Sequence, residues 1–392
     1  MSESGLLVLN AGSSSVKFAV FTINGVVVNK SLARGQVSGI GSATFFSFTF
    51  NGIEKTESVN EIDNHEAAIE YIINCIKEKL LGVVLVGVGH RVVHGGQDFS
   101  KPSLVTDDLI SDLKCLIPLA PQHQPHNIAA IEAVKVFDEN LRQVACFDTS
   151  FHSTQVVEAK LVPLPIALRN QGIQRYGFHG LSYEYITGSF EKIINKKLPS
   201  KVLIAHLGNG ASVCGVKDGK SIVTSMGFST LDGLLMGTRS GAIDPGVLLK
   251  LMEDHGFGLN ELKELLYSKS GLLGVSGVSS DMRVLLESSH CSSSDAVNLF
   301  IFNLVKMIGS YIPVLNGLEA IIFTGGIGEN APVIREKVCE KFTWLGLELD
   351  KSNNCQNSLT ISSKKSAVDV YVLPTNEELV IAQHTCNVLG LA

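Results

Sequence analysis

The chain has 392 residues, of which 45% are hydrophobic, and its formal net charge at pH 7 is −6. This length exceeds what one small hydrophobic core usually organises, so we expect two domains of ordinary size. The acidic balance argues against a broad nucleic-acid surface. The eight cysteines form no CxxC pair, which favours reduced thiols over a zinc or disulfide framework.

The first residues contain no basic segment of the kind that begins a secretory signal. We therefore predict a cytoplasmic protein that has neither a membrane nor a nucleic acid as its partner.

Two segments about 200 residues apart follow the same pattern. Each has an apolar strand, a loop of small residues that contains an Asn, a second strand, and then a hairpin turn. In the first segment, residues 6–21 lead to the turn Asn24-Gly25 and on to residues 26–28. In the second, residues 202–213 lead to the turn Asp218-Gly219. Backbone N–H groups in such loops can hold phosphate, so the duplication predicts two lobes that clamp one phosphate chain.

Helices and strands alternate along the rest of the chain. Hydrophobic periodicity predicts helices at residues 66–80, 128–136, 242–255, 260–267, 295–312 and 377–388, with another beginning near Pro332. Short apolar runs predict strands at residues 81–88, 143–147, 320–323 and 368–373. We expect Asp295 to cap its helix. The alternation predicts an α/β fold with mostly parallel sheets and a lobe boundary near residues 149–151.

Four side chains lie at positions where catalytic or ligand-binding residues are expected. Arg91 lies at the carboxyl end of a buried strand, the edge of an open sheet where ligands bind, and it could grip a carboxylate or phosphate or merely cap carbonyls. Asp148 ends another strand and could be a base, an arginine partner or a turn residue. His179 and Arg239 have glycine or other small residues as neighbours. Each could therefore project into a cleft or play a structural part.

Residues 324–330 contain three glycines between a strand and a helix, where backbone can approach a nucleotide. The segment is not GxGxxG, and the chain contains no GxxxxGK[ST], so the Rossmann and P-loop interpretations are weak. Asp281 offers a carboxylate for a ribose hydroxyl, and Arg283 could stack on a base.

Taken together, these motifs resemble the acetate kinase family, within the actin, Hsp70 and sugar kinase superfamily. The matching segments are residues 10–17, 89–96, 147–149, 175–180, 206–210, 236–241, 324–330 and 374–378. The resemblance implies an α/β fold of two lobes, each built on a duplicated mixed sheet with flanking helices, and a ligand cleft between them. It places residues 1–150 in an N-terminal lobe, to which 378–392 return, and residues 151–377 in a C-terminal nucleotide-binding lobe. It also implies a homodimer.

The activity that this resemblance implies is the reversible transfer of the ATP γ-phosphoryl group to acetate, giving acetyl phosphate and ADP. The metal would be Mg²⁺, with Mn²⁺ as a substitute. The implied catalytic residues are Arg91, Asp148, His179 and Arg239; the substrate-binding residues are Arg91, Val93 and Phe178; the metal-site residues are Asn10 and Glu377. The implied nucleotide-binding residues are Lys17, His206, Leu207, Gly208, Asn209, Gly210, Asp281, Met282, Arg283, Gly326, Ile327, Gly328, Glu329 and Asn330.

The physical chemistry of the substrate agrees with these roles. A carboxyl group with a pKa of about 4 to 5 is ionised at neutral pH, so its attack needs no general base. The difficulty is to bring one anion up to another, and cationic groups must offset that repulsion. Asp148 is then better interpreted as an organiser of an arginine than as a proton acceptor.

Three positions depart from the family pattern: Gln122, where Leu is common, Thr230, where Pro is common, and Ala242, where an acidic or amide residue is usual. The first two neighbour the expected acyl pocket, so the length of the acyl chain stays open. A propionate or butyrate kinase is the alternative. From a different class, a nucleotide-gated chaperone or filament subunit would share the fold.

Overall fold

The computed structural model describes residues 3–24, 31–59 and 62–391. By their contacts, the residues form two compact units: Met1–Ser150 together with Asn376–Ala392, and Phe151–Thr375. The predicted lobes, 1–150 with 378–392 and 151–377, differ from this division only at residues 376 and 377. As functional domains they stay a prediction.

The first unit is built on an eight-stranded sheet. Its strands are β1 (Glu3–Ala11), β2 (Ser15–Ile23), β3 (Ala33–Ser38), β4 (Thr44–Phe50), β5 (Ile53–Val59), β6 (Val83–Val92), β7 (Ser103–Leu104) and β8 (Gln143–Phe147). They lie in the order β5-β4-β3-β2-β1-β6-β8-β7. Strand β6 runs parallel to β1 and β8 runs parallel to β6, whereas β1 to β5 form an antiparallel series.

The second unit is built on a five-stranded sheet. Its strands are β9 (Lys201–Leu207), β10 (Ala211–Lys217), β11 (Lys220–Thr224), β12 (Ala320–Thr324) and β13 (Asp369–Val372). They lie in the order β11-β10-β9-β12-β13, with β9 to β11 antiparallel and β9, β12 and β13 parallel. The order and directions match those of β3-β2-β1-β6-β8. The predicted fold class, α/β with a duplicated mixed sheet, is confirmed.

The expectation of mostly parallel sheets is wrong, because tight hairpins join neighbouring strands. At the turn between β10 and β11, Asp218 has φ 50° and Gly219 has φ 75°. Two consecutive positive φ angles give a hairpin turn whose twist suits antiparallel strands. The other predicted turn, at Asn24-Gly25 and continuing into residues 26–28, falls on residues of which all but Asn24 lie outside the described ranges.

Fifteen α-helices occur in the described residues. They are α1 (His65–Lys79), α2 (Asp107–Cys115), α3 (Gln124–Phe137), α4 (Val157–Lys160), α5 (Ile166–Arg169), α6 (Gly180–Ile194), α7 (Pro245–His255), α8 (Leu259–Glu264), α9 (Gly271–Ser276), α10 (Met282–Glu287), α11 (Cys291–Val314), α12 (Gly325–Asn330), α13 (Pro332–Cys339), α14 (Lys351–Cys355) and α15 (Glu377–Leu389). A π-helical segment, Leu265–Lys269, follows α8, and short 3₁₀ segments lie at Ile117–Leu119, Ser150–Thr154 and Glu340–Leu345.

Helix α11 begins four residues before the predicted cap. Its N-cap is His290, so Asp295 lies inside the helix and the prediction of an Asp295 cap is wrong. Within the described residues α11 is the one helix long and apolar enough to cross a membrane, with 33% of the apolar window buried. Core helices pass the same test. Here Phe300, Leu304 and Ile308 are buried, and α11 packs on α9, α10, α13 and β10 inside the second unit.

The last helix, α15, packs closely on β6 in the first unit. A side chain at Gly87 would overlap Leu389, and one at Gly89 would overlap Thr385. Only glycine at these two positions lets the helix approach this near. The packing places Glu377, the first residue of α15, near the carboxyl end of β6, where Arg91 lies.

Three buried histidines make the free energy of unfolding depend on pH. Burial lowers the pKa of His90, His94 and His152 to about 4. Because these values lie below the unfolded value of about 6.5, the unfolded chain binds more protons between the two pH values. The stabilisation is complete above about pH 6.5 and is lost as the pH falls toward 4, by roughly 3 kcal/mol for each histidine.

We expect denaturant unfolding between pH 7 and pH 4.5 to show this loss. In His90→Gln, the decline between those pH values should be shallower, because one titrating group is removed. An equally steep decline in His90→Gln would show that His90 takes no part.

Candidate active site

Arg91 and Asp148 form the centre of the polar cluster in the first unit. Arg91 lies at the end of β6, and Asp148 directly follows β8, its parallel neighbour. The Nε of Arg91 donates to both carboxylate oxygens of Asp148 at 3.1 Å, and Nη2 donates to Oδ2 at 2.5 Å. Asp148 is 1% exposed. A buried carboxylate thus fixes the guanidinium plane, which agrees with the predicted organising role of Asp148.

Asn10 and Glu377 complete this cluster. The Nη1 of Arg91 donates to Oδ1 of Asn10 at 3.1 Å, and its Nε lies 4.0 Å from Oε2 of Glu377. Burial raises the pKa of Glu377 to about 7, against the opposing charge of Arg91 and with a further rise from Asp148. Burial also disfavours the charge on Arg91, but the carboxylates of Asp148 and Glu377 outweigh it and raise the pKa of Arg91. An amide oxygen and a carboxylate oxygen, both largely buried, therefore lie beside one cation.

Side chains from two helices form hydrogen bonds with the loop between β1 and β2. The N–H of Gly12 donates to the carbonyl of Ser15 at 2.8 Å. His65, the first residue of α1, lies with Nε2 at 2.6 Å from the carbonyl of Gly12. Asn127 on α3 donates to the carbonyl of Ala11 at 2.8 Å and accepts from the N–H of Val93 at 2.9 Å. This buried amide thereby joins the loop to the segment that follows Arg91.

Lys17 lies opposite Asn10 in the β1–β2 ladder, and its side chain is exposed. The positive charge of Lys17 partly opposes the burial that raises the pKa of the Glu377 carboxyl. The predicted phosphate-loop lysine is thus on the same edge of the sheet as the metal-site candidates.

In the second unit, His179 is held in an unusual backbone conformation. It precedes α6 with φ 61° and ψ 24°, in the left-handed region, where a residue with a side chain is strained by about 1 kcal/mol or more. Its Nδ1 lies 2.8 Å from Oγ of Ser212, and its ring stacks on that of His206 with centroids 4.3 Å apart. His206 is itself bonded through Nδ1 to Ser182 at 2.8 Å. Both imidazole rings are therefore fixed by serine hydroxyls.

His179 and Arg239 face the same small space above Gly210. A methyl group placed on Gly210 would lie 3.4 Å from Nε2 of His179 and 3.8 Å from Nη1 of Arg239. The Nη1 of Arg239 also donates to the carbonyl of Thr230 at 3.3 Å. The missing side chain of Gly210 thus leaves a ring nitrogen of His179 and the guanidinium of Arg239 close to its backbone.

A cavity of about 620 Å³ lies in the second unit. Its walls contain eight of the predicted nucleotide-binding residues: Gly208, Asn209, Asp281, Met282, Arg283, Gly326, Ile327 and Asn330. Three residues that the sequence did not suggest, Ser280, Leu286 and Ala331, line it as well. The volume and the mixture of apolar walls with a few polar groups are typical of a small-molecule site.

Other predicted nucleotide-binding residues lie beside this cavity without lining it. Leu207 is buried inside β9, and Gly328 packs against β12. Glu329 folds back, and its Oε1 accepts from the N–H of Gly325 at 2.8 Å, at the beginning of α12. The predicted glycine loop is therefore a short helix, capped by its own glutamate. As nucleotide contacts, these residues stay predictions.

Buried Arg335 supports that short helix. It donates to the carbonyls of Gly328 at 2.8 Å and Glu329 at 3.0 Å, and it also bonds Asn354 and Asn357. Burial lowers the pKa of Arg335 to about 10. Its positive charge sits near the carboxyl end of α12, where the helix dipole favours a cation.

The two residues predicted to contact the acyl group are both buried. Val93 is 2% exposed in the first unit, and Phe178 is 1% exposed in the second, where its carbonyl lies 2.9 Å from Nε2 of His152. Of the departures from the family pattern, Gln122 and Ala242 are exposed. Thr230 instead supplies the carbonyl that Arg239 contacts.

The family model described as "Acetokinase family" matches residues 5–383. The chain belongs to the acetokinase family. The membership predicted from the motifs is thereby confirmed. A relative from Rickettsia prowazekii (strain Madrid E), named acetate kinase, is 43% identical over 387 residues, which are 98% of this chain and 99% of that protein.

Two solved structures are also similar to this chain. The acetate kinase of Porphyromonas gingivalis superposes with a TM-score of 0.89 at 36% identity, with 98% of this chain and 100% of that chain covered. A propionate kinase from Francisella tularensis subsp. tularensis SCHU S4 gives a TM-score of 0.91 at 39% identity, with 99% and 100% covered. Solved chains named acetate kinase and propionate kinase therefore share this fold.

The residues that sequence reasoning missed hold the functional groups in place. His65 and Asn127 bond the β1–β2 loop, and Ser212 bonds His179. Each acts across more than 30 residues of sequence, so no local motif signals it. Only Asn127 and His65 carry a weaker sign, as polar residues at otherwise apolar helix faces.

Proposed function

We propose that this chain catalyses reversible transfer of the γ-phosphoryl group of ATP to acetate, giving acetyl phosphate and ADP. The family makes the chain a phosphotransferase that uses ATP or ADP as its co-substrate. The observation that carries the proposal is Arg91, which buried Asp148 holds with its cationic face fixed. A fixed arginine fork is suited to a carboxylate or phosphoryl oxygen.

The proposed chemistry is electrostatic. Acetate attacks as the anion, so no side chain has to remove a proton. Arg91 binds the acid or phosphoryl oxygens, and Asp148 keeps its guanidinium in place. Arg239 and His179 contact the transferring phosphoryl group, on which negative charge is spread in the transition state. In-line transfer then depends on positioning more than on acid–base catalysis.

The cavity of the second unit is proposed to hold the adenosine. Met282, Leu286 and Ile327 supply apolar surface for the base, and Asp281 supplies a carboxylate for the ribose. Asp281 also bonds Arg283, with Nη2 to Oδ2 at 2.6 Å, and this hydrogen bond lowers the pKa of Asp281. Residues 151–377 would accordingly serve as the nucleotide-binding lobe, with 1–150 and 378–392 as the other lobe.

Mg²⁺ is the proposed metal for this phosphoryl transfer, and Asn10 and Glu377 are the residues proposed to hold it. Amide and carboxylate oxygens are the ligands that Mg²⁺ prefers, and the ion usually takes only one or two carboxylates from the protein. Both oxygens lie within 4.0 Å of the Arg91 guanidinium, and an amide oxygen with a carboxylate oxygen is a donor set that fits this ion. When bound, Mg²⁺ would neutralise charge on the phosphates, and Mn²⁺ is the expected substitute.

A homodimer and a cytoplasmic location are also proposed. None of the residues of helix α7 is buried, although Val247, Leu249 and Met252 are apolar. Nearby Leu259 is 67% exposed. Apolar surface that a single chain leaves uncovered is typical of an interface between subunits, and a second copy of this chain is the proposed occupant.

The test is ATP-dependent formation of acyl hydroxamate with acetate, propionate and butyrate, measured against a reaction without acid. We expect the highest kcat/KM with acetate. ATP hydrolysis at the same rate with and without each of the three acids would contradict the proposal. That result would instead indicate a nucleotide-gated chaperone or filament subunit.

Propionate kinase activity is the second candidate, because a propionate kinase is among the most similar structures. One methylene in a small apolar pocket is worth only about 1–3 kcal/mol. The difference between the two activities therefore rests on a few side chains, with Val93 and Phe178 proposed as contacts of the acyl group.

We expect Val93→Ala to lower the KM for propionate relative to acetate, by up to about tenfold, because it removes two methyl groups beside the acyl chain. KM values for both acids at saturating ATP measure this. Val88→Ala, a fully buried valine earlier in β6, is the matched control and should leave the ratio unchanged. An unchanged ratio in Val93→Ala would mean that Val93 does not contact the acyl group.

A further inference from the structure

A chain of three hydrogen-bonding groups leads from the core of the second unit to His179. The phenol oxygen of Tyr183 lies 2.5 Å from Oγ of Ser212, which lies 2.8 Å from Nδ1 of His179. We infer that Tyr183 and Ser212 are positioning residues that fix the tautomer of His179, so that Nε2 carries the proton. The inference rests on the proposed function in one respect only, which is that the group accepting a hydrogen bond from Nε2 is taken to be the transferring phosphoryl group.

The donor and acceptor roles in this series of hydrogen bonds follow from the protonation of Tyr183. This residue is 0% exposed, and burial raises the pKa of its phenol well above the ordinary value, so the hydroxyl stays protonated. Among the described residues, Ser212 Oγ is the one side-chain atom that bonds this hydroxyl. A buried O–H without an acceptor costs about 1–3 kcal/mol, so Tyr183 donates to Ser212.

The hydroxyl of Ser212 then has one proton to donate. It is also 0% exposed, and within the part of the chain that the structure describes its hydroxyl bonds only Tyr183 and His179. Having accepted from Tyr183, it donates to Nδ1 of His179. A neutral imidazole has one donor and one acceptor nitrogen. Since Nδ1 accepts, the proton is on Nε2.

The fixed tautomer has a chemical consequence. Nε2 is the atom that faces the space above Gly210, next to Nη1 of Arg239. With the proton on Nε2, the ring presents an N–H donor to an anionic phosphoryl group. The opposite tautomer would present a lone pair to the same anion and would leave the O–H of Tyr183 directed into the core without a partner.

The backbone supports the same arrangement. His179 precedes α6 in the left-handed conformation, and its carbonyl accepts from the N–H of Tyr183 at 3.1 Å. The two residues are therefore one helical turn apart and approach Ser212 together from α6. Ser212 lies on β10, opposite His206 on β9. The strand pair and the helix thus fix all three groups.

The experiment is ¹⁵N NMR of histidine-labelled full-length protein, which distinguishes protonated from unprotonated ring nitrogens. The spectrum of His179→Gln identifies the His179 signals. We expect the wild-type ring to have a protonated Nε2 and an unprotonated Nδ1, both with and without ATP. A protonated Nδ1 in the wild-type protein would overturn the inference.

Variants extend the test. Ser212→Ala and Tyr183→Phe should each give a mixture of tautomers and lower kcat by about tenfold, the low end of the effect known for hydrogen-bond partners that orient metal-ligating histidines. The KM for ATP should change little. Ser212→Thr keeps the hydroxyl and should restore the wild-type tautomer. If Ser212→Ala does not fold, Tyr183→Phe still tests the inference.

Tyr371→Phe is the matched control. Tyr371 is another buried tyrosine of the second unit, and its hydroxyl bonds Asp369 at 2.8 Å, away from His179. It should leave the His179 signals unchanged. A wild-type tautomer in both Ser212→Ala and Tyr183→Phe would also overturn the inference. Because the NMR signals do not depend on turnover, failure of the proposed acetate activity would be seen separately, in the hydroxamate assay.

Discussion

Replacing Arg239 with lysine is expected to lower kcat by about two to three orders of magnitude while the protein stays folded. The guanidinium of Arg239 has several N–H groups in one plane, so it can bond a phosphoryl oxygen while keeping its bond to the carbonyl of Thr230. An ammonium group is a point charge and cannot reproduce this fork. The loss should fall on kcat more than on the KM for ATP, since the proposed contact strengthens in the transition state.

Arg142→Lys is the control for this prediction. Within the described residues the side chain of Arg142 makes one hydrogen bond, of 3.1 Å to the carbonyl of Leu389, and a lysine can make a bond of the same kind. We expect near-normal turnover in this variant. Arg91→Lys should resemble Arg239→Lys, because it breaks the paired bonds to Asp148. Near-normal kcat in well-folded Arg239→Lys would remove Arg239 from the chemistry.

Much of the fold follows from local sequence. The strand at residues 143–147 was predicted with the bounds that the structure gives it, and the turn at Asp218-Gly219 has the backbone angles that a hairpin requires. Both signals are local: a short apolar run, and a residue pair that tolerates positive φ. The duplication of the sheet also showed in sequence, because both copies begin with the same strand, loop and strand.

The elements that the sequence did not predict differ in how much local signal they carry. Strand β5 is exposed along nearly its whole length, so its residues show no alternation between a buried and an exposed face. Strand β4 differs, because its seven residues are mainly Thr and Phe and its first residues alternate between buried and less buried positions, a pattern that does indicate a strand but was not used in the prediction. Asp295 looked like a cap because an aspartate preceded an apolar run. The helix extends back over small residues to Cys291, where local sequence gives no clear start.

The predicted site shows a similar division. Motifs identified groups that could touch substrate, such as Arg91, Asp148 and His179, and the structure brings Arg91 and Asp148 into direct contact. The groups that orient them, Asn127 and Ser212, come from distant parts of the chain. Their roles arise from tertiary hydrogen bonds, which a single sequence does not reveal.

Replacing Glu377 with alanine is expected to raise the Mg²⁺ concentration needed for half-maximal activity by about tenfold or more, and to lower kcat sharply. Glu377 begins α15 at the edge of the sheet where Arg91 and Asn10 lie, with its carboxylate 4.0 Å from Arg91. Mg²⁺ takes few protein oxygens, so the loss of one of two proposed ligands should weaken binding markedly. Titration of activity with MgCl₂ at fixed ATP measures this.

The competing explanation is that Glu377 only stabilises the start of α15, which is worth about 0.3–1 kcal/mol. Glu378 is the matched control, since it is the other acidic residue in the same first turn. Glu378→Ala should lower the melting temperature as much as Glu377→Ala does but should keep the wild-type Mg²⁺ requirement. Glu377→Gln, which keeps the shape of the side chain and removes its charge, should behave like Glu377→Ala in the MgCl₂ titration. If both Glu377 variants keep the wild-type Mg²⁺ requirement and merely melt earlier, Glu377 is a helix-terminal residue and the metal site lies elsewhere.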